Sequence, residues 1–192
     1  MSKKRIYFDT ETTGFDAIKN DIIEFAAIFE INGTIRSKID IYLQPLNYKD
    51  ISKEALDIQK VTIQDLKKYT PTKDGFNAII AEFDKYVDKY NKMDKFIVCG
   101  HNVSFDLRFL TQLAEKMNFK YLNSYLHTNP DKFIDLLDKT KKLKSKIGLK
   151  NCKLLTIYEH LFNEQFVAHN ALNDIEATYK CLKVIEKLEK TK

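Results

Sequence analysis

Three short stretches of the sequence carry side chains suited to metal-assisted hydrolysis. They are Asp9-Thr10-Glu11, the run His101–Asp106, and the pair His169 and Asp174, which are five positions apart. Side chains at i and i+2 of a strand share one face, so the carboxylates of Asp9 and Glu11 can meet at one point. Carboxylate oxygens suit Mg²⁺ or Mn²⁺, and a loop imidazole such as His169 suits a general base. The set predicts two-metal hydrolysis of a phosphodiester.

Hydrophobic patterns place these stretches where strands end and helices begin. An Asn32-Gly33 pair between two β-rich runs predicts a hairpin. Strands are predicted at 6–9, 22–31, 35–43, 96–99 and 133–136. Six helices are predicted, at 53–57, 62–71, 76–87, 104–117, 153–161 and 172–188. The second starts at a capping box of Thr62 and Asp65 and ends at Pro71, and Ser104 is the predicted N-cap of the fourth. Three strands followed by strands alternating with helices predict one α/β domain with a mixed sheet over residues 1–192.

The composition is ordinary for a globular protein, with 44% hydrophobic and 31% charged residues. No apolar run approaches the ~18 residues of a membrane span, and the basic N-terminus leads straight into a strand, unlike a signal peptide. We therefore expect a cytoplasmic protein with no membrane partner. Cys99, Cys152 and Cys181 lack the CxxC spacing of a zinc site, which predicts buried reduced thiols.

Seven lysines crowd the stretch from Lys139 to Lys153, although the net charge of the chain is only +5. Lysine is frequent throughout the sequence, so the cluster has two interpretations. One is a solvated helix face or loop, and the other is a patch that follows the phosphates of a nucleic acid. The sequence leaves both open.

Together the motifs resemble those of the DEDDh-type 3′–5′ exonucleases of the DnaQ-like family, which includes the proofreading subunit of bacterial DNA polymerase III. The matching runs are Phe8–Gly14, His101-Asn102 with Phe105-Asp106, His169-x-Ala171-x-x-Asp174, Ile22-Ile23-Glu24 and Ile134-Asp135. The likeness extends from about residue 4 to about residue 188. It implies a ribonuclease H-like α/β fold, with a five-stranded mixed sheet that starts with a three-stranded antiparallel meander and is flanked by helices.

The resemblance also implies roles for individual residues. Asp9, Glu11 and Asp174 would hold one of two Mg²⁺ or Mn²⁺ ions, Asp9 and Asp106 would hold the other with the substrate phosphate, and His169 would deprotonate the attacking water. The residues implied around the terminal nucleotide are Thr12, Thr13, Gly14, His101, Asn102 and Phe105.

The implied activity is removal of nucleoside 5′-monophosphates from the 3′ end of single-stranded DNA, as in DNA replication, repair and proofreading. An RNA-directed activity of the oligoribonuclease or RNase T kind uses the same site, because selection against a 2′-hydroxyl depends on the shape of the pocket. A third interpretation is a nucleic-acid-binding module that has lost its chemistry. It predicts a broken ligand set, whereas all five catalytic residues are present.

Two features depart from the family pattern. Gln59-Lys60-Val61 replaces the His-Gly-Ile step of many proofreading members. Lys192 directly follows the predicted last helix, without the polymerase-binding tail of the family's replicative subunit. We therefore expect the partners to be 3′ ends of single-stranded DNA or RNA. Direct association with a polymerase has no support in the sequence, and proofreading in trans stays open.

Overall fold

Five strands form one mixed sheet in the computed structural model, which describes residues 3–190. The strands are β1 (Lys4–Thr12), β2 (Ile22–Ile31), β3 (Thr34–Tyr42), β4 (Ile97–Gly100) and β5 (Ile134–Asp135). Their order across the sheet is β3-β2-β1-β4-β5. The first three run antiparallel to one another, and β4 and β5 run parallel to β1. The predicted mixed sheet with a leading meander is confirmed.

Helices cover both faces of this sheet. They are α1 (Lys53–Gln59), α2 (Ile63–Leu66), α3 (Thr72–Asp84), α4 (Val103–Lys116), α5 (Leu122–Tyr125), α6 (Leu136–Ile147), α7 (Leu154–Phe162) and α8 (Ala171–Lys190), with a 3₁₀ turn at Pro130–Lys132. Helices α3 and α4 contribute to one hydrophobic cluster, and α6, α7 and α8 contribute to another. Strand β2 is buried along nearly its whole length, because both of its faces are covered.

The alternation of side chains along β1 determines which helices each residue meets. Ile6 and Phe8 belong to the cluster with α3 and α4, whereas Tyr7 belongs to the cluster with α8. Successive side chains of a strand point to opposite faces, so Asp9 and Glu11 continue the face of Tyr7. Both carboxylates therefore face the side of the sheet on which α8 packs.

Asp135 fixes the starts of two helices. Its Oδ1 accepts from the backbone N–H of Asn102 at 3.0 Å and of Leu137 at 2.8 Å, and its Oδ2 accepts from that of Val103 at 2.8 Å. The predicted N-cap at Ser104 is therefore wrong. Helix α4 begins at Val103 because a carboxylate from the neighbouring strand supplies the acceptor that a local cap would supply.

Several element boundaries also differ from the prediction. Strand β5 has only two residues, because Leu136 already begins α6, a helix that the patterns did not predict. Helix α3 begins at Thr72, four residues before the predicted start. The capping box at Thr62 and Asp65 is confirmed.

The three cysteines are free, and only part of their predicted burial is confirmed. Cys99 and Cys181 are buried, whereas Cys152 is half-buried. The prediction of burial is wrong for Cys152, which lies in the loop between α6 and α7. No helix within residues 3–190 has the length and apolar character needed to cross a membrane.

Replacing Asp135 with alanine should destabilise the protein, because three backbone N–H groups lose their acceptor. We expect the free energy of unfolding to fall by about 2–4 kcal/mol in urea denaturation. Asp138→Ala is the matched control, because it changes a largely exposed carboxylate of α6, the helix that Asp135 caps. It should lower the free energy of unfolding by less than about 0.5 kcal/mol. Equal losses in the two variants would contradict this role of Asp135.

Candidate active site

Three of the predicted carboxylates gather at the end of β1. Oxygen atoms of Asp9, Glu11 and Asp174 all lie within 4.8 Å of one another. Asp9 and Glu11 come from the α8 face of the strand, and Asp174 lies in the first turn of α8, where its N–H donates to the carbonyl of Asn170 at 3.0 Å. The strand and the helix N-terminus together form a compact cluster of oxygen donors.

Asp106 approaches the same strand from the opposite face. It lies in the first turn of α4 and is only 4% exposed. Its Oδ1 accepts from the backbone N–H of Thr10 at 3.0 Å and from the Thr10 hydroxyl at 2.7 Å. Thr10 points toward α4 because its neighbours Asp9 and Glu11 point toward α8. Asp106 is therefore linked to the site through Thr10 and lies outside the group of three.

Burial raises the pKa values of all four carboxyl groups, and the charges of neighbouring carboxylates add to the shifts of Asp9 and Glu11. Burial raises the pKa of Asp9 well above its usual range, and the charges of Asp106 and Asp174 add to this shift. Burial, with the charge of Asp174, raises the pKa of Glu11 to about 8. Burial likewise raises the pKa of Asp106 to about 7 and that of Asp174 to about 6. A cation would relieve this repulsion.

The chemistry of the donor set fits a divalent metal ion. Oδ1 of Asp174 is buried and has no hydrogen-bond partner within the described residues, which is costly for a carboxylate unless a ligand binds it. The donors of the cluster are all oxygen atoms, which suit Mg²⁺ or Mn²⁺ better than zinc. Asp9, Glu11 and Asp174 are the residues that can hold such an ion.

His169 lies beside this cluster with an exposed side chain. Its backbone has the left-handed conformation, with φ of 66°, and its N–H donates to Oδ2 of Asp174 at 3.2 Å. The backbone contact fixes the position of the residue while the imidazole stays accessible to solvent. The five-residue step from His169 to Asp174 thus brings an imidazole next to a metal-ligand candidate.

Glu24 anchors the segment that carries His169 and Asp174. It is buried on β2 directly opposite Glu11, and its Oε1 accepts from Nδ2 of Asn170 at 2.7 Å. Backbone N–H groups at the start of α8 also donate to this carboxylate, and burial raises its pKa to about 8. The site prediction omitted Glu24, although a carboxylate within an apolar buried strand was a signal for it.

A cavity of about 220 Å³ adjoins the cluster, and its lining includes Glu11, Tyr69 and His169. Gln59 also lines it; its Nε2 donates to the carbonyl of Thr12 at 3.0 Å, and its Oε1 is buried without a partner within the described residues. Lys60 follows in the left-handed conformation, with φ of 56°. Where many family members have His-Gly-Ile, this chain therefore has the amide of Gln59 beside the site and Lys60 in a backbone conformation that favours glycine.

The threonine hydroxyls of the first motif make internal hydrogen bonds. Thr12 donates to the carbonyl of Gly14 at 2.7 Å, and the fully buried Thr13 accepts from the N–H of Asp21 at 2.9 Å. A Cβ on Gly14 would lie 2.4 Å from Oδ1 of Asn20, which leaves room for glycine alone. These residues shape the loop after β1, and the backbone N–H and carbonyl of Thr13 are also hydrogen-bonded within the protein.

His101, Asn102 and Phe105 lie at the other rim of the site. His101 is half-buried, and its Nε2 donates to the carbonyl of Cys152 at 2.9 Å. Asn102 is exposed, in the left-handed conformation with φ of 68°. The ring of Phe105 is half-buried and lies 6.4 Å from that of Phe15, which is 74% exposed. An accessible aromatic surface thus lies beside the first motif.

Solved structures share this arrangement of strands and helices. Exonuclease I of E. coli in complex with a dT13 oligonucleotide superposes with a TM-score of 0.73 and 20% identity, over 96% of this chain and 41% of that one. A 3′-exonuclease solved for its 3′-end-specific recognition of a histone mRNA stem-loop gives a TM-score of 0.69 and 14% identity, over 96% and 64%. The fold is therefore that of the ribonuclease H-like exonucleases, as predicted.

Sequence comparison assigns the chain to a family within this fold. The RNase T exonuclease family model matches residues 6–182, so the chain belongs to the exonuclease family. The family that the motifs predicted, the exonucleases, is thereby confirmed.

The curated relatives are much longer proteins. A PolC-type DNA polymerase III from Oceanobacillus iheyensis is 29% identical over 184 residues, which is 95% of this chain and 11% of the polymerase. The PolC-type polymerase of Bacillus subtilis is 29% identical over 182 residues, again 11% of its length. The chain thus spans about a tenth of the relatives that it matches.

The raised pKa values predict how stability depends on pH when no metal is present. Because the folded site binds protons more tightly than the unfolded chain, its carboxyl groups stabilise the protein at low pH. That contribution is lost as pH rises from about 4 to about 8. In EDTA, Glu11→Gln should be about 1–3 kcal/mol more stable than the native protein at pH 8 and nearly equal to it at pH 5.

Urea unfolding at the two pH values measures this difference. Glu159→Gln, which changes an exposed glutamate of α7, is the control and should match the native protein at both. Adding a divalent cation should stabilise the native protein more than it stabilises the Glu11→Gln variant. A pH-independent difference in stability between Glu11→Gln and the native protein would contradict the repulsion assigned to Glu11.

Proposed function

We propose that the chain removes nucleoside 5′-monophosphates from the 3′ end of single-stranded DNA by two-metal hydrolysis. The observation that carries the proposal is the cluster of Asp9, Glu11 and Asp174 oxygens within 4.8 Å. Asp106 on the opposite face of β1 completes a set of four carboxylates, and none of the four is replaced. This argues against a binding module that has lost its chemistry.

In the proposed site Asp9, Glu11 and Asp174 hold one Mg²⁺ or Mn²⁺ ion, and Asp9 with Asp106 holds the other. Such ions, when bound, activate water and stabilise the charge that develops on the phosphate and the leaving oxygen. The protein supplies the oxygen donors and keeps them on three rigid elements, β1 and the first turns of α4 and α8.

His169 is proposed as the general base. Its exposed imidazole lies on the loop that leads into α8, and the N–H to Asp174 contact holds the backbone of this residue against the carboxylate cluster. Histidine changes its protonation state near neutral pH, which suits removal of a proton from an attacking water. The proton passes to the imidazole as the water oxygen bonds to phosphorus and the 3′ oxygen of the preceding nucleotide leaves.

Phe15, Phe105 and Arg108 are suited to receive unpaired bases. Phe15 is 74% exposed next to Phe105, and the guanidinium of Arg108 lies 5.7 Å from the centre of the Phe105 ring. Bases of a single strand stack on such aromatic surfaces, whereas a duplex keeps its bases stacked on each other. This supports a single-stranded substrate.

DNA is favoured as the substrate because the curated relatives are DNA polymerases and a structural neighbour binds dT13. RNA is the second candidate, because another neighbour recognises the 3′ end of a histone mRNA stem-loop. With a DNA substrate, the chain would act as a single exonuclease domain over residues 1–192, in cytoplasmic replication, repair or proofreading.

Asp9→Asn should reduce cleavage by about 10³-fold or more, because it removes a ligand shared by both proposed ions. The assay compares labelled single-stranded DNA, matched RNA and a 3′-mismatched DNA duplex, each with Mg²⁺, Mn²⁺ or EDTA. Asp131→Asn, which changes an exposed residue of the 3₁₀ turn, should cleave like the native protein. Full activity of Asp9→Asn, or cleavage in EDTA, would refute the mechanism; faster cleavage of RNA would select the second candidate.

His169→Ala should lower kcat by about 10²–10⁴-fold and change KM by less than about threefold, because the imidazole acts on the water rather than on binding. His160→Ala alters another exposed histidine, on α7, and should leave both constants unchanged. A large KM effect with intact kcat would assign His169 to substrate binding instead.

A further inference from the structure

The lysine-rich stretch forms a basic surface, which we call the lysine lobe and define as residues 136–153. It consists of α6 and the loop that leads to α7. From Lys139 to Lys153 it contains seven lysines and no acidic residue. The proposed hydrolysis assigns no role to this charge.

Both ends of the lysine lobe are tied to the rim of the candidate active site. At its start, Asp135 accepts from the backbone N–H groups of Asn102 and Val103 at 3.0 and 2.8 Å. At its end, the carbonyl of Cys152 accepts from Nε2 of His101 at 2.9 Å. Residues 101–103 follow β4, the strand that pairs with β1. The lobe is therefore rooted beside the loop that begins α4, the helix that carries Asp106.

The lysines of the lobe are accessible and mostly lack a counter-ion. Lys139 pairs with Glu189, and Lys141 contacts Asp138 at 3.5 Å. The others are exposed and form no ion pair within residues 3–190; they are Lys142, Lys144, Lys146, Lys150 and Lys153. The charges are thus available to an external polyanion.

The backbone of the lobe is nevertheless held firmly. Leu136, Leu143 and Leu149 are buried in the hydrophobic cluster beneath α8. No large hydrophobic side chain of residues 136–153 is exposed. A surface that offers cations on a fixed support, without apolar anchors, suits phosphates better than a membrane or a protein partner, both of which bind through apolar side chains as well.

We propose that the lysine lobe binds the phosphate backbone of the strand that leads into the active site, several nucleotides from its 3′ end. The proposal rests on the proposed function, because it takes the substrate to be a single strand. This contact makes the affinity for the substrate depend on the length of the strand and leaves the chemistry at the terminal phosphodiester unchanged. A solvated helix face, the other interpretation of the lysines, predicts no dependence of affinity on these residues.

The test is a triple variant, Lys142→Gln with Lys146→Gln and Lys150→Gln, which removes three unpaired charges from the lobe. Its control is Lys92→Gln with Lys120→Gln and Lys132→Gln, three exposed lysines that also lack an ion pair within the described chain. Lys92, Lys120 and Lys132 all lie outside the lobe, before β4, before α5 and before β5. Both variants carry the same change in net charge.

Binding is measured by fluorescence anisotropy in EDTA, so that it does not depend on cleavage, with a labelled single-stranded oligonucleotide of about 25 nucleotides. At about 0.1 M salt the lobe variant should bind roughly tenfold more weakly, and its salt slope should fall by about 2. The control variant should bind like the native protein. An unchanged affinity of the lobe variant, or an equal loss in the control, would overturn the proposal.

Cleavage of a trinucleotide in the presence of Mg²⁺ separates this proposal from the proposed function. Because the proposed contact lies several nucleotides from the 3′ end, a trinucleotide should not engage it, and native protein and lobe variant should cleave it at the same rate. Loss of trinucleotide cleavage in the lobe variant alone would show that these lysines act at the terminal nucleotide and would overturn the proposal. If the native protein cleaves neither substrate, the proposed function fails, while the anisotropy result still decides whether the lobe binds nucleic acid.

Discussion

Mutual repulsion among carboxylates at the end of β1 is the constraint on which the rest of the site depends. Asp9, Glu11 and Asp174 converge on one face of the strand, and Asp106 approaches the other. Folding brings these groups together against their own electrostatics, so the surrounding contacts must compensate. Two well-packed hydrophobic clusters, one on each face of the sheet, supply the rigidity that holds them there.

Carboxylates serve two distinct purposes in this molecule, and their hydrogen bonds tell them apart. Asp135 and Glu24 receive N–H groups from several residues and act as structural acceptors. Asp174 keeps a buried oxygen without a partner in the described chain, which is what a metal ligand requires. The structural acceptors position the segments from which the ligand candidates project, so the two groups depend on each other.

The sequence was most informative where local patterns determine the structure. The meander, the main helices and the shared face of Asp9 and Glu11 were predictable, because alternation, capping and spacing operate over a few residues. Helix α6 was not, because its apolar positions are few among many lysines. The start of α4 also depends on Asp135, which is 33 positions from Asn102, and the separation of Asp106 from the other carboxylates depends on which face of β1 each helix covers. Such long-range relations leave no local pattern.

The contact between Glu24 and Asn170 spans 146 positions of the chain, and it has a consequence for the order of folding. The meander can form early from neighbouring segments, but the carboxylate cluster exists only after α8 has docked across β1 and β2. Non-local contacts of this kind form slowly, since loop closure precedes any gain from pairing. During synthesis, the sheet therefore emerges before α8, and the candidate cluster can form only once this helix has docked.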